Sequence, residues 1–191
     1  LVIFTARPMQ KIYFTNKLFL IFIIFFFFIN GCAKKVQLPC PKAMVLSEAS
    51  SITTFVPGKG NDITDIETET IINQVVRSCT YNKSVVTVKT LIKFESTKGQ
   101  FYKKNVKNLK FFVAVIDKEE NILGKENFSI EVPYTNNSRK SQVIDTIEQI
   151  IPIKSGLRGF DYTILVGFKL DPSELTYNKQ QRKLGKIKRL P

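Results

Sequence analysis

The chain contains no histidine and no tryptophan, and only three cysteines among its 191 residues. Without histidine there is no Ser-His-Asp or Cys-His arrangement for nucleophilic catalysis. Two or three thiolates with no imidazole beside them do not complete a tetrahedral metal set. Acids are scarce too, with 16 Asp and Glu against 29 Lys and Arg. Few carboxylates are therefore at hand for the pair that glycoside cleavage needs, and no tryptophan offers a sugar a stacking platform. Gly58-Lys59-Gly60 lacks the spacing of a phosphate-binding loop. Asp62, Asp65, Glu67 and Glu69 do not follow the calcium spacing of an EF-hand. The sequence thus predicts no catalytic residue, no metal and no cofactor.

What is present begins with Met9 to Cys32. Lys11 and Lys17 form a basic start, and Leu18 to Ile29 is an unbroken apolar run containing Phe25 to Phe28. Its 12 residues fit a signal-peptide h-region of about 7–15 and fall short of the roughly 20 needed to span a bilayer. An uncleaved anchor helix is the competing expectation, and Lys17 interrupts its extension toward Ile12. Ile29-Asn30-Gly31-Cys32 resembles a bacterial lipobox, in which the cysteine receives lipid. Translation is expected to start at Met9, with Leu1 to Pro8 outside the signal. Processing at Cys32 would attach several acyl chains, enough for a stable tether. Ala33, rather than aspartate, after the cysteine favours the periplasmic face of the outer membrane over the inner membrane.

Once Cys32 takes lipid, Cys40 and Cys79 remain as an even pair in an oxidising compartment and are expected to form a disulfide. Two buried free thiols are the alternative. Removal of residues 1–31 takes away Arg7, Lys11 and Lys17 and no acid, so 26 basic and 16 acidic residues remain, a net of +10. Such a charge suits anionic partners, but the compartment excludes nucleic acid. Lys103, Lys104, Lys107 and Lys110 form one basic cluster. Lys179, Arg182, Lys183, Lys186, Lys188 and Arg189 form another in the last 13 residues. Their ordinary meaning is a solvated loop and a disordered tail.

The body reads as β-structure, with short apolar runs at Ala43–Leu46 and Ile52–Val56. Val86, Val88, Thr90, Ile92 and Phe94 share one face at period two. Phe111 to Ile116 suits a strand buried on both faces. Asp117 to Asn121 reads as a hairpin turn, and Phe128, Ile130 and Val132 alternate up to Pro133. Val143 to Ile153 has helical spacing, but its Thr146, its isoleucines and Pro152 favour an edge strand. After the strand Tyr162 to Leu170, Asp171 as N-cap, Pro172 and Glu174 open a helix of one or two turns. The expected domains are residues 1–31 (upstream residues and cleaved signal), 32–39 (lipidated tether), 40–177 (one β-sandwich) and 178–191 (basic disordered tail). The expected fold is mostly β: an antiparallel immunoglobulin- or fibronectin-III-like sandwich with a short C-terminal helix. Ile153, Gly156, Leu157, Gly159, Asp161, Tyr162 and Val166 look like the loop and strand around the tyrosine corner of fibronectin type III domains, where a tyrosine hydroxyl returns to the backbone just upstream.

Further blocks run through the mature chain. They are Cys40-Pro41 with Leu46 and Ala49, and Phe55-Val-Pro57-Gly58-Lys-Gly60-Asn-Asp62-Ile-Thr64-Asp65. Cys79 with Tyr81, Phe112 to Asp117, Val132-Pro133 and Ile151-Pro152 follow. Tyr162, Leu165 to Phe168, Leu170, Pro172, Glu174-Leu175 and Tyr177-Asn178 close the set. Together they resemble a group of uncharacterised lipoproteins of alphaproteobacteria over roughly residues 32–178. The resemblance implies location and a single compact domain, and it brings no catalytic residue.

The candidate binding site is the loop carrying Phe55, Pro57, Gly58, Gly60, Asp62 and Asp65, expected near one end of the disulfide. Polar loops on a rigid sandwich are where binding concentrates. The alternative is a demanding turn whose glycines need positive φ. The functional expectation is a non-enzymatic, membrane-anchored periplasmic lipoprotein with an accessory or assembly role, its partners being the membrane through Cys32 and an envelope protein. The alternative is a binding module for anionic envelope components such as lipid head groups or peptidoglycan.

Overall fold

The computed structural model describes residues 38–58, 62–135 and 138–184. The signal and lipobox with Cys32, most of the tether, Gly60 and the end of the basic tail lie outside the described residues.

Eight strands form two four-stranded sheets. One sheet has the order β1-β8-β5-β6, from β1 (Lys42–Val45), β8 (Thr163–Phe168), β5 (Val106–Ile116) and β6 (Ile122–Pro133). The other has the order β2-β3-β4-β7, from β2 (Ser51–Phe55), β3 (Ile66–Asn82), β4 (Val85–Lys98) and β7 (Lys140–Pro152). Every pairing is antiparallel except β1 with β8. The hairpins β3–β4 and β5–β6 each stay within one sheet, whereas the immunoglobulin constant order splits its second and third strands between sheets.

The core forms because both sheets turn an apolar face inward. Val86, Val88, Ile92 and Phe94 of β4 and Ile72 of β3 meet Phe111, Ile130, Val132, Ile164, Val166 and Phe168 of the other sheet. Phe94 packs on Phe111 and Phe168, with ring centroids 5.1 and 5.8 Å apart. A buried side chain of this size stabilises by about 1.5–3 kcal/mol. The continuous run in β5 is buried on both faces as expected. Phe111 and Val113 join the main core, while Phe112 and Ala114 pack outward against Ala49. The expected period-two face of β4 is inward along its whole length, including Thr90. Asp117 caps the β5–β6 turn by accepting from the backbone N–H of Glu119 and Asn121.

Val143 to Ile153 lies mostly in the edge strand β7. Only its odd positions face inward, so Ile144 and Ile150 stand on the outer face, 58% and 68% exposed. The expectation of disorder from Asn178 is corrected for residues 178–183. The helix α1 runs from Pro172 to Lys183, and Asn178 is fully buried in it. Its side-chain amide donates to the carbonyls of Glu48 and Ser51. A polar anchor leaves no apolar periodicity to read. The predicted start of the helix is present, with Asp171 and Glu174 exchanging side-chain-to-backbone bonds, each 2.8 Å.

Candidate functional site

The sandwich has two unlike poles. At one, Cys40 and Cys79 form the expected disulfide, with Cα atoms 5.7 Å apart. The Tyr81 hydroxyl donates to the Pro39 carbonyl beside it. Tyr162, fully buried, receives the backbone N–H of Lys154 at 3.1 Å and donates to the Pro152 carbonyl at 3.3 Å. These bonds tie the start of β8 to the end of β7, across the passage between sheets. This is the upstream return to the backbone that the sequence pattern predicts for Tyr162.

The candidate loop sits at the other pole, and its expected closeness to the disulfide is corrected. Ile66, at the base of the loop, pairs with Phe55, whereas Cys79 lies 13 residues further along β3, opposite Val88. At about 3.3 Å per residue the two are roughly 40 Å apart. In the sequence, Asp65–Ile72 reads as an alternating run, with Val75 and Val76 following it before Cys79. The structure joins them into one 17-residue strand with a bulge at Asn73, and that length carries the loop away from the bridge.

Around the loop, most of the predicted residues serve the turn itself. The Asp62 carboxylate accepts from the Ile63 N–H, and the Asp62 carbonyl accepts from the Asp65 N–H at 3.0 Å. The Asp65 carbonyl accepts from Val56 at 3.0 Å and closes the loop base. Gly58 has φ +78° and is exposed beside Pro57. Phe55 turns toward α1, its ring edge-on to Tyr177 at 5.1 Å. The acids do not converge: Glu67, the extra residue at a bulge in the β2–β3 pairing, reaches Lys107, while Glu69 stays exposed. Among the described residues no group of three acids or cysteines is close enough to hold a metal.

Ile63 and Thr64 instead form one wall of an open groove of about 280 Å³, completed by Glu69, Lys98, Gly99 and Arg139. Sequence reading missed the last three. Gly99 is the only one with a legible signal, since a glycine right after a strand marks a close approach. A Cβ there would meet the Ile66 carbonyl oxygen at 1.9 Å, and the Gly99 N–H donates to Glu67 at 2.8 Å. The Arg139 side chain donates to the Lys98 carbonyl at 3.4 Å, and the Lys98 ammonium lies 5.3 Å from the Tyr134 ring centroid.

Behind the groove the space between the sheets is polar. Thr70 and Ser96 hydroxyls lie 2.6 Å apart, Ser96 and Tyr134 2.6 Å, and Thr54 and Thr68 2.7 Å. Lys107 donates to Thr54 at 3.2 Å and lies 3.9 Å from the Glu67 carboxylate. The expectation that its cluster is wholly solvated is corrected for this residue, which points inward from β5 because of the strand's alternation. Burial lowers the Lys107 pKa, against the upward pull of Glu67 and Glu174. Burial raises Glu174 and Tyr134. Lys107 is thus held between a hydroxyl and a carboxylate, which ties β5 to β2 and β3 at this pole.

Set against known proteins, the chain matches no family model, no curated protein and no solved structure. Among the described residues no helix is long and apolar enough to cross a membrane.

Proposed function

We propose that the protein is a non-enzymatic lipoprotein of the cell envelope, anchored through lipid on Cys32 at the periplasmic face of the outer membrane, with an accessory or assembly role exercised through protein contacts. The observation that carries this is the division of the two poles. Pro39 and Cys40 are fastened at the disulfide pole, so a tether from Cys32 leaves there. The groove beside the 55–65 loop is then free for a partner. The lipobox pattern and the resemblance to alphaproteobacterial lipoproteins support the address. The Tyr162 bonds support an immunoglobulin- or fibronectin-III-like affiliation, as a variant whose hairpins stay within single sheets.

The test is metabolic labelling with a clickable fatty acid, comparing the parent chain with Cys32→Ser after membrane fractionation. Label on the parent alone, and loss of the variant from the outer-membrane fraction, is expected. An unlabelled parent sinks the proposal.

A second reading, binding of anionic envelope components, is favoured by Lys98 and Arg139 at the groove. It predicts salt-sensitive retention on anionic vesicles or peptidoglycan that a Lys98→Glu/Arg139→Glu double variant loses. Retention unchanged in that variant removes it.

A further inference from the structure

The four sheet edges are treated differently. β1 is four residues long. β2 is five residues long, lies beside a bulge at Glu67 of β3, and packs against α1. β6 carries Gly124, Lys125 and Glu126 and is itself bulged at Leu123. These are the usual ways of blunting an edge. β7 is the least blunted: its 13 residues pair with β4 in unbroken register, no lysine, glycine or proline lies between Ser141 and Ile151, and its only charges there are Asp145 and Glu148.

The hydrogen-bond phase of β7 says which groups it offers. The Arg139 carbonyl accepts from Lys98, and the Ile153 N–H donates to Ser84, so odd-numbered residues bond inward to β4. Antiparallel ladders alternate. Gln142, Ile144, Thr146, Glu148 and Ile150 therefore turn their N–H and C=O toward the open edge.

The sequence of this edge is palindromic in polarity. From Val143 to Ile151 it reads Val-Ile-Asp-Thr-Ile-Glu-Gln-Ile-Ile, symmetric about Ile147. The sandwich needs only the odd positions inward, so Ile144 and Ile150 are surplus to it. A two-fold antiparallel pairing centred on Ile147 uses them. It sets Ile144 opposite Ile150, Val143 opposite Ile151, Asp145 opposite Gln149 and Thr146 opposite Glu148, each apolar residue on an apolar one. Centring on Asp145 or Glu148 opposes like charges. Centring on Ile144 or Thr146 sets an aspartate or glutamate against an aliphatic side chain. Pro152, without an N–H, ends the ladder.

We infer that the β7 edge pairs with β7 of a second copy of this chain, in antiparallel register about Ile147, joining two four-stranded sheets into one of eight. The inference does not rest on lipidation of Cys32.

The register gives the test. Ile147 meets its own counterpart in a non-hydrogen-bonded pair, where Cα atoms sit about 4.5 Å apart, within disulfide range. In the full chain in native membranes, Ile147→Cys is expected to form a covalent homodimer on mild oxidation, and Thr146→Cys is not. Adding Ile144→Lys, on the exposed face, should cut the Ile147→Cys dimer at least tenfold while leaving the thermal midpoint unchanged. Sedimentation of the unmodified, detergent-extracted chain should give a dimer. Self-crosslinking at 146 as strong as at 147, a crosslink only to another protein, or a monomer in sedimentation overturns the inference.

Discussion

The two poles of the sandwich are held by different chemistry. At the disulfide pole the constraints are covalent or deeply buried: the Cys40–Cys79 bridge and the fully buried Tyr162 with its two backbone partners. At the loop pole hydroxyls, Lys107 and a carboxylate fill the space between the sheets, and the groove opens beside them. One end is built to stay closed. The other, hydrogen-bonded and titratable, has the make-up of regions that open locally at lower free energy.

The bridge should show the largest effect. It closes a separation of 39 residues, so its removal in a Cys40→Ser/Cys79→Ser variant should cost about 4 kcal/mol in urea unfolding. A loss under 1 kcal/mol would mean that the disulfide pole is held by packing alone.

Matched tyrosines sharpen the contrast. Tyr162→Phe strips two backbone partners at a fully buried site and should cost about 2 kcal/mol. Tyr134→Phe should cost about 1 kcal/mol, because Ser96 keeps Thr70 as a partner. The reverse order, read from thermal or urea midpoints, would erase the distinction between the poles.

Acid should act on the two ends with opposite sign. Burial raises Glu174 above its ordinary 4.5, so its contribution is fully present below that value and is lost as pH rises through the raised one. For Asp117, burial pulls upward, but the hydrogen bonds from Asn121 and Glu119, with Lys154 nearby, outweigh it. Its depressed pKa gives stability that is present above 3.8 and lost as pH falls through the depressed value. Unfolding midpoints from acid to neutral pH should show Glu174→Gln flattening the decline above 4.5 and Asp117→Asn flattening the acid limb. Curves that change alike in both variants would contradict this.

The sequence was most legible where local pattern and tertiary demand agree. The alternation of β4, the doubly buried run in β5, the Asp117 turn, the cap at Asp171 and the Cys40–Cys79 pair could all be read from neighbouring residues or from elimination. β7 was ambiguous because its palindrome of apolar pairs imitates helical spacing. Asn178 was missed because it is anchored by hydrogen bonds to Glu48 and Ser51, far away in sequence. The groove was missed for a similar reason: Lys98, Gly99 and Arg139 reach the 55–65 loop only through the pairing of β3 with β4 and of β4 with β7. Which pole the loop occupies depends on strand length and register, and the bulge at Asn73 hid both.

The central claim is that the loop pole, and not the disulfide pole, meets the partner. Photo-crosslinking amino acids placed in cells at Gln100 beside the groove and at Lys83 in the turn near the disulfide test it most directly. The account predicts a discrete adduct with a membrane-associated envelope protein from position 100 and none from position 83. Adducts from position 83 alone, or from neither position, would contradict it.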